Sequence, residues 1–371
     1  RGTVVRRPSR AVRSPYVADV RLDGAPEGEE VLAHAPMLNC AGTVVPGAPV
    51  ALTPARRGGG GKCSHVIQLA YEQRLRAGVA GSGAAAGDVE WEPIGAHPAL
   101  AERLARELLA RGLLPELAGA ELAGAQATWG NSRVDFVLRR PASAAARAEG
   151  IEEETVLVEV KNVVCAAYGG GARVPAGRAR DGVYLAHDSG GGRGEEAESA
   201  ADRAGQRQAL FPHGKKKPGV QVVSDRAIKH IHELINLHNT TYTTDTGKKN
   251  KISTAILFVV NRKDCQSFRP CHESDLLFAK MLRRAENSGV QVIAYDIVWK
   301  NECQAYLGKK LPVSFCCENT SPISFDEEGE DDKAWLERVL KYNKENGTPN
   351  KKKAVNKQGG KKKKKGKSLP M

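Results

Sequence analysis

Ser132-Arg133-Val134-Asp135-Phe136-Val137-Leu138 and, eighteen positions further on, Val156-Leu157-Val158-Glu159-Val160-Lys161 decide the reading of this chain. Both stretches alternate apolar and β-branched residues with polar ones, the pattern of β-strands. Residues 140–150 between them are rich in Ala, Arg and Gly and suit an exposed connection. On a strand Glu159 and Lys161 project to one face, because side chains alternate. Pairing of the two strands brings Asp135 alongside. Two carboxylates and an ammonium on one sheet face are costly to bury. A divalent cation supplies a reason: it binds the oxygens, and the lysine orients or helps deprotonate an attacking water. The plain alternative is a solvated face with an exposed ion pair.

An Asp inside an apolar strand, followed by Val158-Glu159-Val160-Lys161 in a second apolar strand, resembles the PD-(D/E)xK nuclease superfamily. The motif is short. The rest of the chain therefore has to supply its context.

The 371 residues carry a net charge of +13, enough length for two or three domains and a real core. Residues 351–371 hold ten Lys and no acid, so most of the excess charge sits in a tail. Such a run is expected to stay disordered and to bind polyanions without sequence preference, or to serve as a solubilising or nuclear import segment. The first residue is Arg, which reads as a fragment or a processed end, and residues 1–14 read as a disordered basic N-terminus. No run approaches the length of a membrane span. The eight cysteines form no CxxC pair, which points to reduced thiols in an intracellular compartment, the nucleus or an organelle included, and away from zinc.

Residues 15–76 read as short strands over Tyr16–Leu22, Glu30–Ala35, Val44–Leu52 and His65–Tyr71, a small barrel or sandwich. Arg56, Arg57 and Lys62 in its last turn are candidate phosphate contacts. Residues 77–96 read as a linker, with its Ala/Gly-rich part at 77–88. Residues 98–111 read as an amphipathic helix. Measured from Leu100 at about 100° per residue, Leu104 and Leu108 fall near 40° and 80° and Glu107 near −20°, inside the stripe, whereas Glu102 points away. Glu107 is therefore a candidate ligand or ligand-orienting group. Residues 169–208 read as a disordered insertion. Ser224 caps a helix to about Leu237, with Arg226, Lys229 and His230 near its start. Ala255–Val260 reads as a buried strand, Ser274 or Asp275 opens a helix that Gly289 ends, and Val290–Val298 is a further strand. The folded part is expected to end at Leu311-Pro312-Val313. An acidic segment, a short helix over Lys333–Tyr342 and the Lys-rich tail make up 314–371.

Taken together, these segments resemble the sugar fermentation stimulation protein A family. The resemblance rests on Val17-Ala18-Asp19-Val20, Val31-Leu32-Ala33-His34, Arg103-Leu104, Glu107, Pro115-Glu116-Leu117 and Ser132-Arg133-Val134-Asp135-Phe136. It continues through Val158-Glu159-Val160-Lys161, Phe211-Pro212, Arg226 with Lys229-His230, Phe268-Arg269-Pro270, Gly289-Val290 with Ala294-Tyr295, and Leu311-Pro312-Val313. It implies an OB-like β-barrel over 15–76 followed by a PD-(D/E)xK nuclease-like mixed-sheet domain over 97–313. It also implies DNA binding and, by the family's name, regulation of sugar metabolism genes. Glu107, Asp135 and Glu159 are its motif carboxylates here and Lys161 its lysine. The chain departs from the family at Pro36-Met37-Leu38-Asn39-Cys40-Ala41-Gly42, where an Arg is missing, at His213 after Phe211-Pro212, and at Asn162 after Lys161.

Three functions are then open. In the first, Mg²⁺ or Mn²⁺ sits between Asp135, Glu159 and the Val160 carbonyl, Glu107 orients a water, Lys161 positions the nucleophile, and a phosphodiester of DNA is hydrolysed. Arg226, Lys229 and His230 contact phosphates in that reading. In the second, the chain binds DNA, or RNA, without cleaving it. In the third, the tail alone contacts anions.

Overall fold

The computed structural model describes every residue except 27, 38–41, 56–60, 76–88, 169–206, 316–329 and 347–371. Arg56 and Arg57, the Ala/Gly-rich part of the expected linker and the Lys-rich tail lie outside the described residues.

The N-terminal unit is a barrel of β1 (Gly2–Arg6), β2 (Val17–Leu22), β3 (Val31–His34), β4 (Pro49–Pro54) and β5 (His65–Leu75), in the order β3-β2-β1-β4-β5. It closes where β3 pairs β5 in parallel, with Ala33 opposite His65. Its interior holds Val4, Ala18, Val20, Ala33, Val50, Ile67 and Ala70. Several of these are alanines, which suit a barrel of few strands with little interior volume. β6 (Val89–Gly95) extends the sheet by pairing β5.

Two boundaries change. Residues 1–14 were expected to be a disordered basic end, yet Gly2–Arg6 is a barrel strand paired with β2 and β4. Its five residues are too short and too close to Arg6 and Arg7 to stand out by composition, and Val4 in the barrel core anchors it. Residues 77–96 were expected to be a linker, yet Val89–Gly95 is ladder-bonded.

The second unit follows as α1 (Pro98–Ala110), β7 (Glu121–Trp129), β8 (Ser132–Pro141), α2 (Ala144–Ala148), β9 (Glu153–Val163), β10 (Cys165–Tyr168), β11 (Arg207–Phe211) and α3 (Asp225–Leu237). It continues with β12 (Thr241–Thr243), β13 (Lys249–Val260), β14 (Cys265–Pro270), α4 (Leu276–Asn287), β15 (Gln291–Trp299), β16 (Ala305–Lys310) and α5 (Glu330–Asn346). A mixed sheet runs β16-β15-β13-β9-β8-β7, with β12 on β13. Its centre, β9-β13-β15, is parallel, and its flanks are antiparallel. The parallel centre is apolar on both faces because helices cover both. Val156, Val158 and Val160 face α1, while Leu157, Ile256 and Phe258 face α3 and α4. A smaller sheet runs β10-β11-β14. The insertion expected over 169–208 ends sooner than that: Arg207 and Gln208 belong to β11, and Arg207 is buried.

The two units are locked together. Gly95 N–H donates to the Asn261 carbonyl at 2.9 Å, and a side chain at Gly95 would meet Asn261 at 2.5 Å, so only glycine fits. Beside this contact Glu72 of the barrel accepts from Arg207 at 3.2 Å and Arg262 at 2.7 Å, and Asp264 accepts from Arg207 at 2.7 Å and Arg262 at 2.6 Å. All four are buried.

Val313 is not the end of the folded part. α5 packs on α3 and α4 through Leu336 and Val339. Trp335 Nε1 donates to the Val220 carbonyl at 2.7 Å, Asn343 Nδ2 to the Asp225 carbonyl at 2.9 Å, and Lys280 pairs with Asp332.

Candidate metal and phosphoryl-transfer site

β8 and β9 pair in register as far as Phe136 opposite Val158, and Asp135 and Glu159 are the next residue on each strand. There the ladder gives way to side-chain contacts. Asp135 Oδ2 accepts the Val160 N–H at 2.8 Å, and Asp135 Oδ1 accepts from Gln126 Nε2 at 3.1 Å. Glu159, 3% exposed, is bonded through Oε1 to both Lys161 Nζ and His230 Nδ1. Arg226 Nε in turn lies 3.4 Å from His230 Nε2. Asp135, Glu159, Lys161 and His230 therefore form one cluster at the point where the strands stop pairing and α3 comes down on the sheet.

The electrostatics divide the two carboxyls. Burial and then the neighbouring Glu159 charge push Asp135 up to about 6, against the pull of the Val160 N–H and Lys161. Burial also penalises Glu159, but Lys161 and His230 outweigh it and hold Glu159 down at about 2. His230 is lowered, chiefly by burial, with Lys161 and Arg226 adding to it against Glu159. Two like charges brought together in a partly buried place, one of them held uncomfortably ionised, are a set of oxygens that a divalent cation would stabilise. Asp135 and Glu159 fit such an ion in donor type, since Mg²⁺ takes one or two carboxylates and keeps water elsewhere. Among the described residues, however, no group of three His, Cys, Asp or Glu side chains is arranged to hold a metal.

Glu107 is engaged elsewhere. It was expected in the apolar stripe of α1, but it is exposed and pairs with Arg111 at 2.9 Å. The buried face of α1 is Leu100, Ala101, Ala105, Leu108 and Leu109. With the alanines and Leu109 counted, the centre of the stripe moves by about 50° and both Glu107 and Glu102 fall at its edges. Glu102, expected to point away, takes the edge that faces the site. Its Oε2 lies 3.4 Å from Gln126 Nε2, and its charge adds to the rise of Asp135.

Gln126 has no signature in the sequence beyond being polar inside Ala-rich β7. Its φ of 55° puts it in the left-handed region, which turns its side chain toward Asp135. Of the remaining candidates, His230 was expected to touch phosphate but is buried on Glu159. Lys229 Nζ donates to the Asn131 carbonyl at 3.0 Å, at the β7–β8 turn, and Arg226 is exposed beside His230. Lys62 is exposed in the β4–β5 connection of the barrel. Asn162, after the motif lysine, accepts from Asn261 at 2.5 Å and donates to Met37 Sδ at 3.5 Å, so a barrel loop reaches the residue next to Lys161.

Comparison with known proteins agrees with this layout. The family described as sugar fermentation stimulation protein RE domain matches residues 99–176 and 208–303. A sugar fermentation stimulation protein homolog of Clostridium kluyveri is 38% identical over 85 residues, 22% of this chain and 33% of that one. Another, of Syntrophotalea carbinolica, is 27% identical over 186 residues, 50% of this chain and 52% of that one. The chain thus spans from about a third to about half of the length of these curated relatives. Among solved structures, Pyrococcus furiosus SfsA in complex with Ca²⁺ superposes with a TM-score of 0.50 at 18% identity, covering 84% of this chain and 94% of that one. The barrel followed by a mixed-sheet domain is its fold as well.

Proposed function

Because the chain belongs to the sugar fermentation stimulation protein family, we propose that it binds nucleic acid, DNA above all, and hydrolyses its phosphodiester bonds at a divalent-cation site held by Asp135 and Glu159. The observation that carries this is the pairing of those carboxyls beside Lys161, with Asp135 raised to about 6 and Glu159 lowered to about 2. The Ca²⁺ complex of the Pyrococcus relative supports a cation of this class. When bound, Mg²⁺ or Mn²⁺ would neutralise the two carboxylates and polarise a phosphoryl oxygen.

The chain's own residues do the rest. The Val160 N–H and Gln126 hold Asp135 in one orientation. His230 and Lys161 both hold Glu159, so its carboxylate is fixed before any ligand arrives. The Lys161 ammonium stands beside the carboxyl pair, where it stabilises negative charge on a phosphate and orients the attacking water.

The test compares the wild type with Asp135→Ala and Lys161→Ala on plasmid and single-stranded DNA with Mg²⁺ or Mn²⁺. Cation-dependent cleavage by the wild type and its loss in both variants is the expected result. Equal products from all three end the hydrolytic reading. A second reading, nucleic-acid binding without cleavage, is favoured by one observation: Glu107, the third motif carboxylate, is turned away to Arg111. Cation titration calorimetry with DNA binding measured in parallel separates the two, because that reading expects affinity for DNA with no cation uptake.

A further inference from the structure

Several cations around the carboxyl pair are already engaged. Lys161 is bonded to Glu159, Lys229 Nζ donates to the Asn131 carbonyl at 3.0 Å, and Arg226 Nε lies 3.4 Å from His230 Nε2. Arg106 on α1 differs. It is exposed, and among the described residues no carboxylate pairs with it.

Two sets of contacts place Arg106 at the site. Its guanidinium lies over the Phe136 ring, with Cζ 5.4 Å from the centroid. Phe136 follows Asp135 on β8 and stands opposite Val158, which precedes Glu159 on β9. One turn back along α1, Glu102 Oε2 lies 3.4 Å from Gln126 Nε2, and the same nitrogen donates to Asp135 Oδ1 at 3.1 Å. Glu102 and Arg106 are four apart, so they share one side of the helix, while Glu107 and Arg111 pair at its other edge. A Glu and an Arg at this spacing on an exposed helix face ordinarily pair with each other. Here Glu102 is turned to Gln126 instead, and the guanidinium is laid on an aromatic ring. A ring contact occupies the flat face of a guanidinium and leaves its N–H edge for a second partner. A planar fork held in place in this way suits two oxygens of one phosphate.

We infer that Arg106 clamps a phosphate of the bound nucleic acid at the Asp135–Glu159 site, from the Asp135 side, while Lys161 stands on the Glu159 side. This clamp rests on the nucleic-acid reading above. It supplies the group that holds a polyanion against a pair of acids, and it makes Arg106 a substrate-binding residue.

The experiment measures binding of a short DNA duplex to the full chain by fluorescence anisotropy over a salt series, with EDTA present so that cleavage plays no part. Arg106→Gln keeps a polar stem over Phe136 and removes the charge. It should lower the slope of log K against log salt by about 0.9, the value of one phosphate contact, and weaken binding about tenfold at low salt. Arg106→Lys keeps the charge and loses the fork, so the slope should hold while affinity falls. Arg111→Gln removes the same charge from the other edge of α1 and should change neither. An unchanged slope in Arg106→Gln, even with a lowered melting temperature, would reduce the residue to packing on Phe136 and overturn the clamp. An equal effect of Arg111→Gln would overturn it as well. Should Arg106→Gln fail to fold by circular dichroism, Arg106→Lys carries the test, and full affinity in that variant would overturn the clamp. Wild type that binds no duplex would remove the nucleic-acid reading and the clamp with it. Wild type that binds but cleaves under no cation would remove the hydrolytic proposal alone, since the anisotropy series does not depend on cleavage.

Discussion

Asp135 and Glu159 are chemically the same group one strand apart, and their surroundings drive them in opposite directions. Asp135 rises from 3.8 in the unfolded chain to about 6, so the folded state holds its proton longer. Its contribution is therefore neutral below pH 4 and becomes a penalty as pH rises from about 4 to 6, reaching about 3 kcal/mol above that. Asp135→Asn in metal-free protein should remove this loss, so that urea unfolding at pH 8 shows the variant more stable than the wild type and at pH 4 the two alike. Millimolar Mg²⁺ should raise the melting temperature of the wild type and leave the variant unmoved. Glu159 behaves oppositely: held at about 2 against 4.5, it stabilises above pH 4.5 and that stability is lost as pH falls toward 2. Gln126 acts at one remove by fixing Asp135. Gln126→Ala should weaken cation affinity by about tenfold in calorimetry while the fold is retained.

Helix ends show what local chemistry determines. Ser224 Oγ accepts the Ala227 N–H at 3.3 Å, and Asp275 Oδ1 accepts the Phe278 N–H at 3.0 Å, so both caps are where short polar residues precede an apolar period. Asp275 does more: its other oxygen accepts from Val223 and Ser224 N–H groups at 2.8 and 3.2 Å, tying the start of α4 to the start of α3. Asp275→Ala orphans three donors and should cost about 2–4 kcal/mol by thermal or chemical unfolding, more than a lone cap. Glu107→Ala on α1, by contrast, should change stability by less than about 0.5 kcal/mol and leave cation affinity as it was. That contrast marks the limit of what could be read in advance. Caps, the buried Ala255–Val260 strand and the Asp135/Glu159/Lys161 constellation are legible because each depends on neighbours a few residues away or on side-chain alternation. The side of α1 that holds a carboxylate depends on which alanines the sheet accepts, and the turn of Gln126 depends on its left-handed backbone. Strand β1 and the docking of α5 depend on partners far away in the chain, and short or charge-rich segments announce neither.

At the scale of the molecule, barrel and sheet domain share a buried four-charge cluster. Removing one partner leaves uncompensated charge in a dry place, so Glu72→Ala should cost about 3–5 kcal/mol and lower the melting temperature of both units in one transition. Calorimetry that resolved two separate transitions in the wild type would count against this coupling. The β10–β11 hairpin is built differently. Tyr168 and Arg207 stand opposite each other on paired strands, so whatever fills 169–206 starts and finishes at neighbouring positions. Loop closure costs only about 0.6 kcal/mol for each doubling of length, so the frame is nearly indifferent to how much chain is inserted there. Exchanging 169–206 for an Asn-Gly turn should leave a cooperatively melting protein. The same hairpin is a natural graft point, able to accept a fluorescent reporter without disturbing Asp135 and Glu159, which belong to the other sheet.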